Sequence, residues 1–175
     1  MDDFLNSCVF RRMMAIEEVN RIKQIFSKLN INPNYLEHEP VLTSEDASRT
    51  RGFSLKQGIK ALVFTYNNEW VVVDILADQK VNLKKVAGIL DWSKSKIRMA
   101  TPEEVEMETG CIIGAVPPFG HKSETKILVD NHIFENDVSA FNIGLRTHSV
   151  IINTELMRKV FDCLRMGSYP AACSD

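Results

Sequence analysis

The chain has 175 residues, 45% of them hydrophobic and 25% charged, with 21 Lys plus Arg against 23 Asp plus Glu. That is one domain's worth of sequence, able to bury roughly 70% of the surface its unfolded chain exposes, so no disulfide or metal is needed to hold a core. The composition excludes wholesale disorder, no uninterrupted apolar run exceeds four residues, and the acidic start Met1-Asp2-Asp3 lacks the basic-then-apolar order of a signal peptide, so the reading is a cytoplasmic protein with no membrane association.

Residues 1–14 show no period and read as an N-terminal extension. Ile16, Val19, Ile22, Ile25, Phe26 and Leu29 then recur at three- and four-residue steps, which predicts one helical stripe, stopped by Asn30 and Asn32-Pro33. Thr43-x-x-Asp46 predicts the cap of a short helix ending at Gly52. Segments 59–65 and 70–74 are β-rich, and the four residues between them read as a hairpin turn. Asn82 can cap a helix with Leu83, Val86, Ala87 and Leu90 on its inner face, and 97–100 reads as a short strand. Thr101-Pro102-Glu103-Glu104 is a helix start, and capping explains its two acids better than a catalytic carboxylate pair does. That helix stops at Gly110. Segments 126–129, 138–142 and 147–152 are three further strands. Asn153 or Thr154 opens a last helix, and 167–175 reads as a frayed tail. Helices and strands interleave with frequent hairpins, so the expectation is a single α/β domain over 15–166, a mixed, barrel-like β-sheet flanked by helices.

The net charge of −2 argues against a protein that coats nucleic acid by bulk electrostatics. It leaves room for a local basic face: Lys80, Lys84, Lys85, Lys94, Lys96 and Arg98 against Asp91 give +5 in nineteen residues. This segment reads either as a solvated surface or as a phosphate-facing patch. Cys8, Cys111, Cys163 and Cys173 form no C-x-x-C pair, and Cys111 and Cys163 fall in apolar patterns that predict buried thiols. His38, His121, His132 and His148 are scattered, and no metal is expected.

The common catalytic signatures are absent: no G-x-x-x-x-G-K-[ST], no G-x-G-x-x-G, no H-E-x-x-H and no G-x-S-x-G. Ser93-x-x-Lys96 and Ser123-x-x-Lys126 match a Ser–Lys spacing without its companion motifs. Two features resist a purely structural account. Lys60 opens an otherwise apolar strand, where a lysine either snorkels or supplies a fixed ammonium for a phosphate or carbonyl oxygen. Gly114-Ala115-Val116-Pro117-Pro118-Phe119-Gly120 is stiffened by two prolines and flanked by glycines, a loop suited to presenting backbone N–H groups to a reacting carbonyl.

In their order along the chain, His38-Glu39-Pro40, Thr43, the helix to Gly52, Lys60 before a Leu-Val strand, Asp74, Gly110, the Gly114–Gly120 loop and Asn142-Ile143-Gly144 resemble the YbaK family of aminoacyl-tRNA editing domains, also found inserted in bacterial prolyl-tRNA synthetases. Its most specific element here is Gly114-x-x-x-Pro118, similar to the family's G-x-x-x-P loop. The resemblance implies a trans-acting deacylase for mischarged tRNA, expected to be tRNA-Pro carrying Ala, Cys or another small residue. It implies Lys60 as the essential lysine, Gly114 and its loop at the ester carbonyl, and help from the tRNA's own terminal ribose hydroxyl, with no metal and no cofactor. His38, Thr43, Ala115, Val116, Pro117, Pro118, Phe119, Gly120, Asn142 and Gly144 are the implied substrate contacts. Lys84, Lys85, Lys94, Lys96 and Arg98 are the expected tRNA contacts, and prolyl-tRNA synthetase or another synthetase is a possible partner. The rival readings are a non-catalytic module that binds tRNA or a synthetase, and a small-molecule enzyme using Lys60 as an imine-forming amine.

Overall fold

The computed structural model describes residues 16–41, 43–164 and, for the backbone alone, 168–169. The N-terminal extension and most of the tail lie outside the described residues. Residues 16–28 form helix α1, which buries Val19, Ile22 and Phe26 and ends where Asn30 turns left-handed at φ 54°. Thr43 caps α2 (Ser44–Arg51) through its hydroxyl, and Gly52, at φ 72°, closes it. Asn82 caps α3 (Leu83–Leu90), Thr101 and Glu104 form a reciprocal capping box on α4 (Pro102–Thr109), and Asn153 caps α5 (Thr154–Cys163). Each cap satisfies helix N–H groups that have no partner within the helix.

The strands form two sheets. In the first, β2 (Ile59–Tyr66) and β3 (Glu69–Leu76) make the predicted hairpin around Asn67, whose φ is 53°. β4 (Arg98–Met99) pairs antiparallel with β2, and β5 (Lys126–Asp130) pairs parallel with β3. In the second, β1 (Asn34–Glu37), β7 (His148–Asn153) and β6 (Val138–Asn142) are antiparallel. A bridge between Gly58 and Ala140 joins the sheets, so the mixed α/β domain is as expected, with two sheets meeting at a seam in place of a closed barrel. Two short elements escaped the sequence. β1 is mostly exposed and has no alternating apolar pattern, and β8 (Ser168–Tyr169) adds a strand beside β5 within what read as a frayed tail.

β3 is buried on both faces, which explains the apolar run from Trp70 to Val73. Val71, Val73 and Ile75 pack against Val86 and Ala87 of α3, while Val72 faces Val63 of β2 and Val105 of α4. The third cluster gathers α1, α5 and the second sheet around Phe119, whose ring meets Phe26, Phe141 and Phe161 edge-on at 5.6–5.7 Å. Cys111 is buried as expected. Cys163 is exposed, because it is the last residue of α5 and the helix end projects into solvent together with Leu164.

Candidate functional site

A cavity of about 210 Å³ lies at the seam between the sheets, with Gly58 and Ala140 of the connecting bridge in its wall. Lys60, Ala61 and Val63 of β2 form one side, Thr43, Ala47 and Arg51 of the α2 segment another. Gly114 and Val116, Val105 of α4, and Asn142 at the end of β6 complete it.

Lys60 is the second residue of β2, and its Nζ donates to the Ala77 carbonyl at 2.9 Å. Burial pushes its pKa down, Asp78 and Glu45 oppose that shift, and Lys80 adds to it. Arg51 ends α2 with its guanidinium over the Phe53 ring, 5.6 Å from the centroid. Its Nη2 donates to Asn142 Oδ1, and its buried Nε has no partner among the described residues. Burial lowers its pKa to about 10, so it is still a cation at neutral pH.

The loop from Ile113 to Gly120 is held by its carbonyls. Arg146 donates to the Ile113 carbonyl from Nε and Nη2 at 3.1 and 2.8 Å, and Asn142 Nδ2 donates to the Gly114 carbonyl at 2.6 Å. The Gly144 N–H donates to the Ala115 carbonyl at 2.9 Å, and His121 Nε2 to the Pro117 carbonyl at 2.7 Å. Gly114 has φ 81°, a conformation glycine adopts without penalty. With the carbonyls of Ile113, Gly114, Ala115 and Pro117 tied back, this part of the loop can offer a ligand N–H donors.

Asn142 is fixed at both ends, since its oxygen faces Arg51 and its nitrogen a carbonyl. Behind it, Ser149 Oγ lies 3.2 Å from Asn142 Oδ1 and 2.7 Å from His38 Nε2, and His38 Nδ1 lies 2.7 Å from the Glu39 carbonyl. The carbonyl can only accept, so Nδ1 carries the proton, and in neutral His38 Nε2 is an acceptor that takes the Ser149 hydroxyl proton. Burial keeps the His38 pKa below its ordinary value, with Arg51 and His148 acting in the same direction against the Glu39 hydrogen bond.

Of the residues the sequence singled out, Thr43, Lys60, Gly114, Val116 and Asn142 meet at the cavity. His38 stands behind the lining residue Asn142, to which Ser149 links it. Ala115, Pro117 and Pro118 are buried in the body of the loop, Phe119 is the aromatic hub of the core, and Gly120 packs on Ile22 and Ile25. Gly144 stands behind the loop and bonds Ala115. Lys84 and Lys85 are exposed on α3, which covers the sheet face opposite Ala61 and Val63. Lys94 and Lys96 are exposed just before β4, whose Met99 reaches the cavity, and Arg98 is paired with Glu104 at 2.7 Å. Sequence reasoning missed Arg51, Ser149, Arg146 and His121, none of which sits in a local motif.

Residues 38–160 match the family model described as the aminoacyl-tRNA editing domain. The chain belongs to that family. It is 34% identical over 139 residues to the multifunctional Ser/Thr-tRNA deacylase ProXp-y of Escherichia coli K12, covering 77% of this chain and 82% of that one. A stretch of 75 residues is 33% identical to the proline–tRNA ligase of Geobacillus thermodenitrificans, 43% of this chain and 13% of the ligase. A crystal structure of a candidate trans-editing enzyme for prolyl tRNA synthetase superposes with TM-score 0.76 at 19% identity, covering 90% of this chain and 97% of that one, which shows a shared fold. The activity class of this editing domain is therefore aminoacyl-tRNA deacylation, an ester hydrolysis. Among the described residues no helix is long and apolar enough to cross a membrane.

Proposed function

We propose that this editing domain hydrolyses the ester of a mischarged tRNA, tRNA-Pro above all, when it carries a small amino acid. The observation that carries this reading is the joining of Lys60 and the Gly114 loop on one cavity of about 210 Å³. That is less than the roughly 300–1,000 Å³ of sites for drug-sized ligands, and suits a small acyl group. The family resemblance implies alanine and cysteine, and the name of the E. coli relative adds serine and threonine to the range.

In this reading water adds to the ester carbonyl, and the N–H groups of the Gly114 loop face the oxygen on which negative charge develops. Collapse of the tetrahedral species breaks the bond to the ribose oxygen, which leaves as a hydroxyl once protonated, and the amino acid departs as its carboxylate. Lys60, anchored by the Ala77 carbonyl, holds the terminal nucleotide by its phosphate or a sugar oxygen. Orientation and dipoles supply most of the acceleration an activated ester requires. The acceptor stem approaches along the β4 edge, where Lys94 and Lys96 face solvent.

A panel of mischarged tRNAs assayed for released amino acid tests the proposal. Hydrolysis of small aminoacyl esters, lost in Lys60→Ala with the fold retained by circular dichroism, is the expected result. Binding of tRNA without hydrolysis of any ester would overturn it in favour of a non-catalytic module, and a fully active Lys60→Ala would remove the lysine from the site.

A further inference from the structure

The charge of this cavity is one-sided. Among the described residues its lining carries two cationic side chains, Lys60 and Arg51, and no carboxylate. The Arg146 guanidinium stands close by, its Nε 3.6 Å from where a methyl on Gly114 would sit. Burial lowers the pKa of Lys60 and of Arg51 alike, so positive charge is already costly here. Acceptors at the cavity are engaged as well. The Ala77 carbonyl takes Lys60, the Gly114 carbonyl takes Asn142 Nδ2, Asn142 Oδ1 takes Arg51, and Thr43 Oγ1 takes the Asp46 N–H.

The carboxylates of the neighbouring elements stand outside this lining. Glu45 on α2 and Asp78 after β3 are exposed, and both act on Lys60, against Lys80. Asp46 is paired with Arg49, and Glu39 is exposed beside His38, which brings no negative charge in either protonation state. The α-ammonium of an aminoacyl ester needs a counter-charge and acceptors for three N–H bonds. A tRNA phosphate that meets Lys60 neutralises that one cation and leaves Arg51. An α-hydroxyl in the same place carries no charge, has one proton to donate and offers two lone pairs to the donors around it.

We propose that this cavity takes esters whose α-substituent is uncharged, so that α-hydroxyacyl-tRNA is a further substrate class and aminoacyl-tRNA is taken in its free-base form. The inference rests on the editing reading of the same cavity. It goes beyond that reading by assigning the group beside the ester carbonyl, where the earlier argument concerned the side chain. The chemistry is the same hydrolysis. Water adds to the ester carbonyl, the bond to the ribose oxygen breaks, and that oxygen leaves with a proton. The α-hydroxy acid departs as its carboxylate, its proton going to solvent.

The test measures kcat/KM of the full chain on lactyl- and alanyl-tRNA of one tRNA body, which differ only in hydroxyl against amine. Each value is divided by the uncatalysed hydrolysis rate of that ester at the same pH. At pH 6, below the reference α-amine pKa of about 7.7–8.0, the lactyl ester should be favoured at least tenfold. The ratio should shrink at least threefold by pH 8.5, because the protein's own groups titrate alike for both esters. Ser44→Asp puts a carboxylate at a lining position in the first turn of α2, where the helix dipole favours an acid, and should lower the pH 6 ratio at least threefold. Binding of 3′-amide-linked lactyl- and alanyl-adenosine at pH 6 needs no turnover, and the lactyl compound should bind at least tenfold tighter. Hydrolysis with the alanyl ester equal or favoured at pH 6, or with a ratio that does not move with pH, would overturn the inference and leave the editing reading standing. Hydrolysis of neither ester, with the lactyl amide bound more tightly, would overturn the editing reading alone.

Discussion

The ring of His121 reaches back four residues to hold the carbonyl of Pro117 at 2.7 Å, from inside the protein. Its other nitrogen, Nδ1, is buried without a partner among the described residues, and burial lowers the pKa to about 4 despite the opposing hydrogen bond to Pro117. The loop that carries Gly114 is thus anchored by an imidazole that must stay neutral.

This fixes a pH dependence. A histidine whose folded pKa lies below its unfolded value of 6.5 contributes stability that is fully present above pH 6.5 and is lost as pH falls toward the folded value of about 4. The separation corresponds to about 3 kcal/mol. His38, lowered in the same direction, adds to the loss. Urea midpoints taken from pH 7.5 to 4.5 should fall steadily in the wild type. They should fall less steeply in His121→Gln, whose plateau at neutral pH is lower. Parallel curves for the two proteins would show that His121 is not the group responsible.

Asp74 works in the opposite sense. It is fully buried on β3, opposite Ala61, with no hydrogen-bond partner for either carboxylate oxygen among the described residues, and burial raises its pKa well above the ordinary value. Stability from such a group is fully present below about pH 4, near its unfolded pKa, and declines as pH rises through the folded pKa. Asp74→Asn keeps the shape and removes the charge, so it should gain on the wild type as pH rises, by on the order of 1–3 kcal/mol at pH 8. A stability difference independent of pH would refute this.

Gly114 and Gly120 separate two demands on one loop. At Gly114 an added methyl meets nothing closer than Arg146 Nε at 3.6 Å, so Gly114→Ala carries only the left-handed dihedral penalty, about 1–2 kcal/mol. At Gly120 the methyl would sit 2.6 Å from Ile25 Cδ1 and 2.9 Å from Ile22 Cδ1, inside the core. Deacylation per folded molecule should therefore drop at least tenfold in Gly114→Ala and stay within threefold of wild type in Gly120→Ala, while thermal midpoints fall further in the second. The reverse ordering of activities would detach Gly114 from the chemistry.

The basic segment divides by geometry. Lys94 and Lys96 are exposed five and three residues before Met99, which lines the cavity, while Lys84 and Lys85 sit on α3, across the sheet from Ala61 and Val63. Removing a lysine that neutralises one tRNA phosphate should reduce the slope of log K against log salt by about 1. Lys94→Glu with Lys96→Glu is expected to flatten that slope by about 2 for tRNA, and Lys84→Glu with Lys85→Glu by less than 1. Equal effects from both pairs would mean that tRNA wraps the far face as well.

Much of this molecule is legible in its sequence, because capping residues, apolar stripes and hairpin turns act over a few positions. Thr43, Asn82, Thr101 and Asn153 each open the helix their chemistry predicts. Lys60 and Gly114 stand out because each breaks its local pattern, a charge in an apolar strand and a glycine before two prolines. Arg51 breaks nothing: at the end of a short helix a basic residue is what the helix dipole favours, so its burial against Asn142, 91 positions away, has no local trace. Ser149, an ordinary strand serine, gains its meaning only from the β6–β7 register that sets it opposite Asn142. Phe119 misleads in the other direction, since its place in the loop suggests a ligand contact and its ring belongs to the core.

The seam bears on how the selectivity of this domain can drift. Gly58 and Ala140, the pair that joins the two sheets, also stand in the cavity wall. The bore of the pocket is therefore an inter-sheet spacing as much as a sum of side-chain volumes. Ile59 and Phe141, next to that pair along the chain, belong to the core in which the Phe119 ring wedges between Phe26, Phe141 and Phe161. Repacking that wedge would re-gauge the pocket without touching a lining residue, so the acyl group admitted can be retuned through the interior while the roles proposed for Lys60 and Gly114 stay put.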